Sequence, residues 1–125
     1  MAKILIVDDT DEIRDLLADL LSSNKHIVLT AKNGAEVEEK FAKIPFDLMI
    51  CDNMMPIKGG METIKDMREA NPLLKIIAIS GTFDVTTQSR AGVCREWATK
   101  MGADYTMSKP FDCDEIEEAV DRLLG

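Results

Sequence analysis

The chain has 125 residues, 46% of them hydrophobic and 30% charged, the size and balance of one globular domain able to bury most of its apolar surface unaided. A formal net charge of -8 argues against nucleic acid and anionic membranes as partners, since both are polyanions that need basic patches. No apolar run is long enough to span a bilayer, and the run 4–7 is cut off by Asp8-Asp9 before it could act as a signal peptide, so a cytoplasmic protein with protein or cation partners is expected.

Residues 3–7 are a continuous β-branched and leucine run, consistent with a central strand buried on both faces. Ile13, Leu16, Leu17, Leu20 and Leu21 then recur at helical spacing, predicting an amphipathic helix that closes near Ser22-Ser23-Asn24. A second strand follows over 26–31, and Asn33 with Glu36 has the spacing of a capping box for a helix carrying Val37 and Phe41 to about Lys43. The third strand, 46–51, runs into Asp52 and a turn bounded by Pro56 and Gly59-Gly60. Met61, Ile64 and Met67 face inward from the next helix, which Asn71-Pro72 stops.

The fourth strand, 75–79, ends at Ser80-Gly81, and the polar, breaker-flanked stretch 81–92 reads mostly as loop. Val93, Cys94, Trp97, Ala98 and Met101 form a short helical stripe before a fifth strand over 104–107. In the last helix Asp112 is the cap, Glu115 can reach back, and Phe111 can staple onto Ile116; Ile116, Ala119, Val120 and Leu123 are its apolar stripe. Five strands alternating with five helices predict an α/β fold, a doubly wound parallel sheet with helices on both faces. Cys51, Cys94 and Cys113 form neither a Cys-x-x-Cys pair nor an even set, so no zinc site or disulfide framework is expected.

Asp8 and Asp9 follow strand one, Asp52 strand three, Ser80 strand four and Lys109 strand five, all at carboxyl ends and hence at one rim of the sheet. Each has a duller reading. Asp8, Asp9 and Thr10 could cap the first helix, Asp52 a turn, Ser80 could be a turn residue and Lys109 a surface residue. Their coincidence at one edge favours a site, because clustered carboxylates repel and a hard divalent ion such as Mg2+ relieves them.

In this order and spacing the motifs resemble a response-regulator receiver domain over essentially the whole chain: Asp8-Asp9, then Asp52 with Met55-Pro56 and Gly60, then Ser80-Gly81 and Lys109-Pro110-Phe111. The resemblance implies a flavodoxin-like sheet of order 2-1-3-4-5 and Asp52 as the phospho-accepting aspartate. It implies Mg2+ held by Asp9, Asp52 and the backbone carbonyl of Met54, with Asp8 helping through water. Lys109 and the Ser80 hydroxyl would contact the phosphoryl group, and the Lys109-Pro110 bond would be cis. The implied donor is a sensor histidine kinase or a histidine phosphotransfer protein, and a downstream protein target would meet the face of the fourth helix, fifth strand and fifth helix. Such a domain catalyses its own phosphorylation and dephosphorylation without being a classical enzyme. With no output domain in 1–125, a stand-alone receiver, a relay member or the receiver part of a longer protein is expected.

Two positions depart from the family pattern. The residue three before the lysine, usually aromatic, is Thr106, and the nearest aromatic is Tyr105, which alternation directs to the opposite face. The stretch between Ser80 and Gly102 is several residues longer than usual. Three rivals stand beside the receiver reading. A small aspartyl-phosphate phosphatase would use Asp9-Thr10-Asp11 but would lack a substrate cap, a flavin or nucleotide binder would lack its Gly-rich loop, and a receiver-shaped interaction module would never be phosphorylated.

Overall fold

The computed structural model describes residues 2–52, 60–80, 102–108 and 111–125. Among them five strands form one parallel sheet: β1 (Lys3–Val7), β2 (Ile27–Ala31), β3 (Leu48–Asp52), β4 (Lys75–Ser80) and β5 (Tyr105–Ser108). Their order is β2-β1-β3-β4-β5, the order the resemblance implies, within the doubly wound class expected from the alternating pattern. Four helices are described: α1 (Asp11–Ser23), α2 (Gly34–Phe41), α3 (Gly60–Ala70) and α4 (Cys113–Leu124). The helix expected around 93–101, the 81–92 loop, the Met55-Pro56 turn and the Lys109-Pro110 bond lie outside the described residues. No described helix is long and apolar enough to cross a membrane.

Strand alternation sorts the core into two layers. Leu5, Val7, Met49, Cys51, Ile76 and Ala78 face α2 and α3, joining Val37, Ile64 and Met67. Ile4, Ile6, Leu48, Ile50, Ile77, Ile79 and Met107 face α1 and α4, joining Leu17, Leu21, Ile116, Ala119 and Val120. Every residue of β3 is buried, as a strand covered on both faces requires.

Several expected boundaries move. β3 begins at Leu48 and includes Asp52 as its last paired residue, opposite Ile79, while β2 begins at Ile27 and β5 runs from Tyr105 to Ser108. Asp47 is taken up before β3: its carboxylate accepts from the Lys3 amide at 2.9 Å and its carbonyl from the Lys75 amide at 3.2 Å. Leu16, expected inward, is 46% exposed. At about 100° per residue it sits at the margin of the stripe centred on Leu17 and Leu21; the third buried residue of α1 is Arg14.

The caps largely follow the sequence. Asn33 accepts from the Glu36 amide at 3.1 Å while Glu36 reaches back to the Lys32 amide, and Asp112 accepts from the Glu115 amide at 2.7 Å. Phe111 packs onto the cluster holding Ile116. α1 ends in a Schellman motif, with the His26 amide donating to the Leu21 carbonyl and the Lys25 amide to the Ser22 carbonyl; Lys25 adopts φ 70° there.

Arg68 ties α3 to the entries of β4 and β5. Its guanidinium donates to the carbonyls of Gly102, Pro72 and Leu74 and pairs with the Asp104 carboxylate, which also accepts from the Ile76 amide. Gly102 lies beneath it at φ +122°, and a Cβ there would meet Arg68 Cγ at 2.7 Å. Both the backbone angle and the overlap penalise a side chain. Gly102→Ala should therefore destabilise the fold by about 2 kcal/mol or more; urea unfolding within a few tenths of a kcal/mol of wild type would contradict this packing.

Cys51 is fully buried, facing α2 and α3, and its Sγ donates to its neighbour's carbonyl, that of Asp52, at 3.5 Å. Burial pushes its thiol pKa strongly upward, and the nearby negative charges of Asp52 and Asp8 add to the shift. At pH 8 the thiol stays protonated and poorly nucleophilic. In a Cys94→Ser/Cys113→Ser variant, alkylation of Cys51 should be at least about a hundredfold slower in the native state than in denaturant. Rapid stoichiometric native labelling would contradict that environment.

Candidate metal and phosphoryl site

In order 2-1-3-4-5 the chain reverses direction across the sheet between β1 and β3, and the crevice at the carboxyl ends of those two strands is where an open α/β sheet binds ligands. The ladder Ile4↔Leu48 through Val7↔Cys51 brings both strand ends to the same level. Asp8 and Asp9 leave β1 there, and Asp52 closes β3. One oxygen from each of the three carboxylates lies within 4.8 Å of the others.

The three differ in setting. Asp8 and Asp52 are buried, at 1% and 3% exposure, and Asp9 is exposed. Asp8 Oδ1 accepts from the Thr10 amide at 2.8 Å, which ties its carboxylate back over the turn. The cap reading of this acidic stretch finds little support: Thr10 occupies the N-cap of α1, yet makes no side-chain capping bond. The carboxylates of Asp8 and Asp9 are instead brought beside that of Asp52.

Arg14 does not register in an apolar stripe because it is charged, yet position 14 shares a helix face with Leu17 and Leu21 and lies five residues after Asp9. Its buried guanidinium donates Nη1–H to the Asp8 carbonyl at 2.8 Å and pairs through Nη2 with the Asp11 carboxylate.

Ser80 is the last residue of β4, paired with Ser108, so the backbone carries it to the same rim of the sheet. The Ser80 hydroxyl, Met54 and Lys109 lie outside the described side chains and residues. On β5, Tyr105 packs with Met107 against the α1 and α4 layer, which leaves Thr106, by alternation, on the face toward α3. A groove of about 350 Å³ beside α4 is lined by Tyr105, Asp112, Glu115 and Glu118 among others, away from the carboxylate cluster.

The donors in the cluster are hard oxygens; the Cys51 thiol points to the opposite layer. A small divalent ion bound through one or two carboxylates, with the remaining positions left for water and phosphate, suits such a set. The acidic cluster is thus compatible with Mg2+.

A sequence model of the response regulator receiver domain matches residues 4–121. Among curated proteins, response regulator RR06 of Streptococcus pneumoniae is 37% identical over 97% of this chain and 52% of its own length. The chain thus spans about half the length of that relative. Chemotaxis protein CheY of Halobacterium salinarum is 30% identical, with 99% of this chain and 98% of that protein covered. Among solved structures, a CheY-like response regulator receiver domain protein from Methanospirillum hungatei superposes with a TM-score of 0.83 at 25% identity, covering 98% of this chain and 94% of that one. With its sheet order, its acidic crevice and these matches, the chain belongs to the response regulator receiver domain family of two-component signalling systems.

Proposed function

We propose that this chain is a phospho-accepting receiver in which Asp52 takes a phosphoryl group from a histidine kinase or a histidine phosphotransfer protein. The observation that carries the reading is the convergence of Asp8, Asp9 and Asp52 at the crevice between β1 and β3. A carboxylate oxygen of Asp52 attacks phosphorus in line. A new O–P bond forms as the P–N bond of the donor phosphohistidine breaks, and the electron pair leaves with the imidazole. Mg2+, when bound, offsets the charge of the carboxylates and of the phosphoryl oxygens. Asp9 and Asp52 are the side chains assigned to hold it, with the Met54 carbonyl as a further donor and Asp8 acting through water. Lys109 and the Ser80 hydroxyl are assigned the remaining phosphoryl oxygens; motif order supports these roles. The product is an acyl phosphate that water hydrolyses, so the signal expires without a separate enzyme.

Magnitudes constrain how the signal leaves. Swinging a two-state equilibrium from 1:99 to 99:1 takes about 5.5 kcal/mol, and one hydrogen bond to a charged group supplies about 1.5–3 kcal/mol. Ser80 must therefore act together with Lys109, the cation and backbone donors. The proposed output is the face of β5 and α4 with the helix expected around 93–101, where the groove beside Tyr105 is lined by Asp112, Asp114, Glu115, Glu118 and Arg122, the last paired with Glu118. Its excess of carboxylates over the one guanidinium suits a basic segment of a downstream protein.

Intact mass spectrometry after incubation with acetyl phosphate tests the reading. Wild type should gain one phosphoryl adduct in Mg2+ and none when excess EDTA is present from the start, and Asp52→Asn should gain none. Equal adducts on wild type and variant would place the acceptor elsewhere and overturn the assignment.

A further inference from the structure

We infer that Arg14 is a positioning residue for the cation site, holding the turn Asp8-Asp9-Thr10 in the arrangement that brings its carboxylates to Asp52. The inference rests on the cation-binding reading of that cluster.

Arg14 is 9% exposed, on the same face of α1 as Leu17 and Leu21, where an aliphatic side chain would also fill the space. Burying a guanidinium costs several kcal/mol unless its donors are answered. Its answered donors lie along the turn that carries the site: Nη1 on the Asp8 carbonyl at 2.8 Å, and Nη2 on the Asp11 carboxylate. Side chains of an α-helix lean toward its N-terminus, so position 14 reaches back over the first turn to the strand end.

Asp8 is held at its amide by the Ala31 carbonyl at 3.2 Å, at its carbonyl by Arg14 and at its carboxylate by the Thr10 amide. Asp9 sits between two fixed residues, which sets the direction of its side chain although that side chain is exposed. The ends of α1 and β1 are thereby locked together by a planar two-pronged cation rather than by packing alone.

Charge and position predict opposite outcomes when Arg14 is changed. If the guanidinium acted through its charge, it would repel a divalent cation, and its removal would tighten binding. If it acts by holding the turn, its removal loosens the carboxylates and weakens binding. The ion pair with Asp11 offsets its charge, which favours the positional effect.

Isothermal titration of wild type, Arg14→Met and Arg14→Lys with Mg2+ at matched ionic strength separates these, with folding checked by circular dichroism. Arg14→Met should raise Kd about tenfold, the effect typical of residues that orient metal ligands. Arg14→Lys, which keeps the charge and loses the two-pronged geometry, should raise Kd by a smaller factor and keeps the test valid if the methionine variant fails to fold. An unchanged or lowered Kd in the folded variants overturns the inference, and a lowered unfolding midpoint with unchanged Kd reduces Arg14 to a structural role. Wild type that binds no Mg2+ overturns the cation-site reading itself, and this inference with it.

Discussion

Three carboxylates held together at one edge of a parallel sheet are a liability that the rest of the fold must contain. Two unit charges at about 5 Å repel by on the order of 3 kcal/mol at an effective dielectric constant of about 20. A domain of this size is stable by only about 5–15 kcal/mol. The carboxylates cannot simply move apart. The parallel ladder between β1 and β3 fixes both strand ends, and β3 is buried along its whole length. The ladder and the hydrophobic layers on either face thus keep the three carboxylates in one place, an oxygen set that suits a divalent cation.

The same alternation sorts the far side of the sheet. β5 is the edge strand, and its alternation puts Tyr105 and Met107 on the layer with α1 and α4. Thr106, between them, lies by alternation on the face toward α3. Arg68 anchors the start of β5 through Gly102 and Asp104, so the entry to the strand is tied to α3 and β4 independently of any change at its carboxyl end.

The sheet was legible in the sequence because each strand is a short apolar run and each acid or polar residue interrupts it at the same end. The caps at Asn33 and Asp112 were legible because local hydrogen bonding is written in adjacent residues. Features that depend on residues distant in sequence were not. Leu16 shows that an apolar residue at the margin of a stripe goes to solvent when the stripe is wider than its partner layer. Arg68 acts as a multi-donor tie whose acceptors include the main-chain carbonyls of Gly102, Pro72 and Leu74, and a sequence pattern carries no record of which carbonyls need a donor. The three acids could be listed in advance; that they meet within 4.8 Å required the sheet order.

The acidic crevice, as proposed above, takes a divalent cation with Asp9 among its ligands. Urea unfolding of wild type and Asp9→Asn in EDTA and in Mg2+ tests it most directly, because Asp9 is exposed and its replacement leaves the core intact. Without cation the two should unfold within about 0.5 kcal/mol of each other, as expected for an exposed side chain. Mg2+ at ten times its Kd should stabilise wild type by about 1.4 kcal/mol and the variant by much less. A wild type indifferent to Mg2+, or a variant stabilised by Mg2+ as much as wild type, would contradict the account.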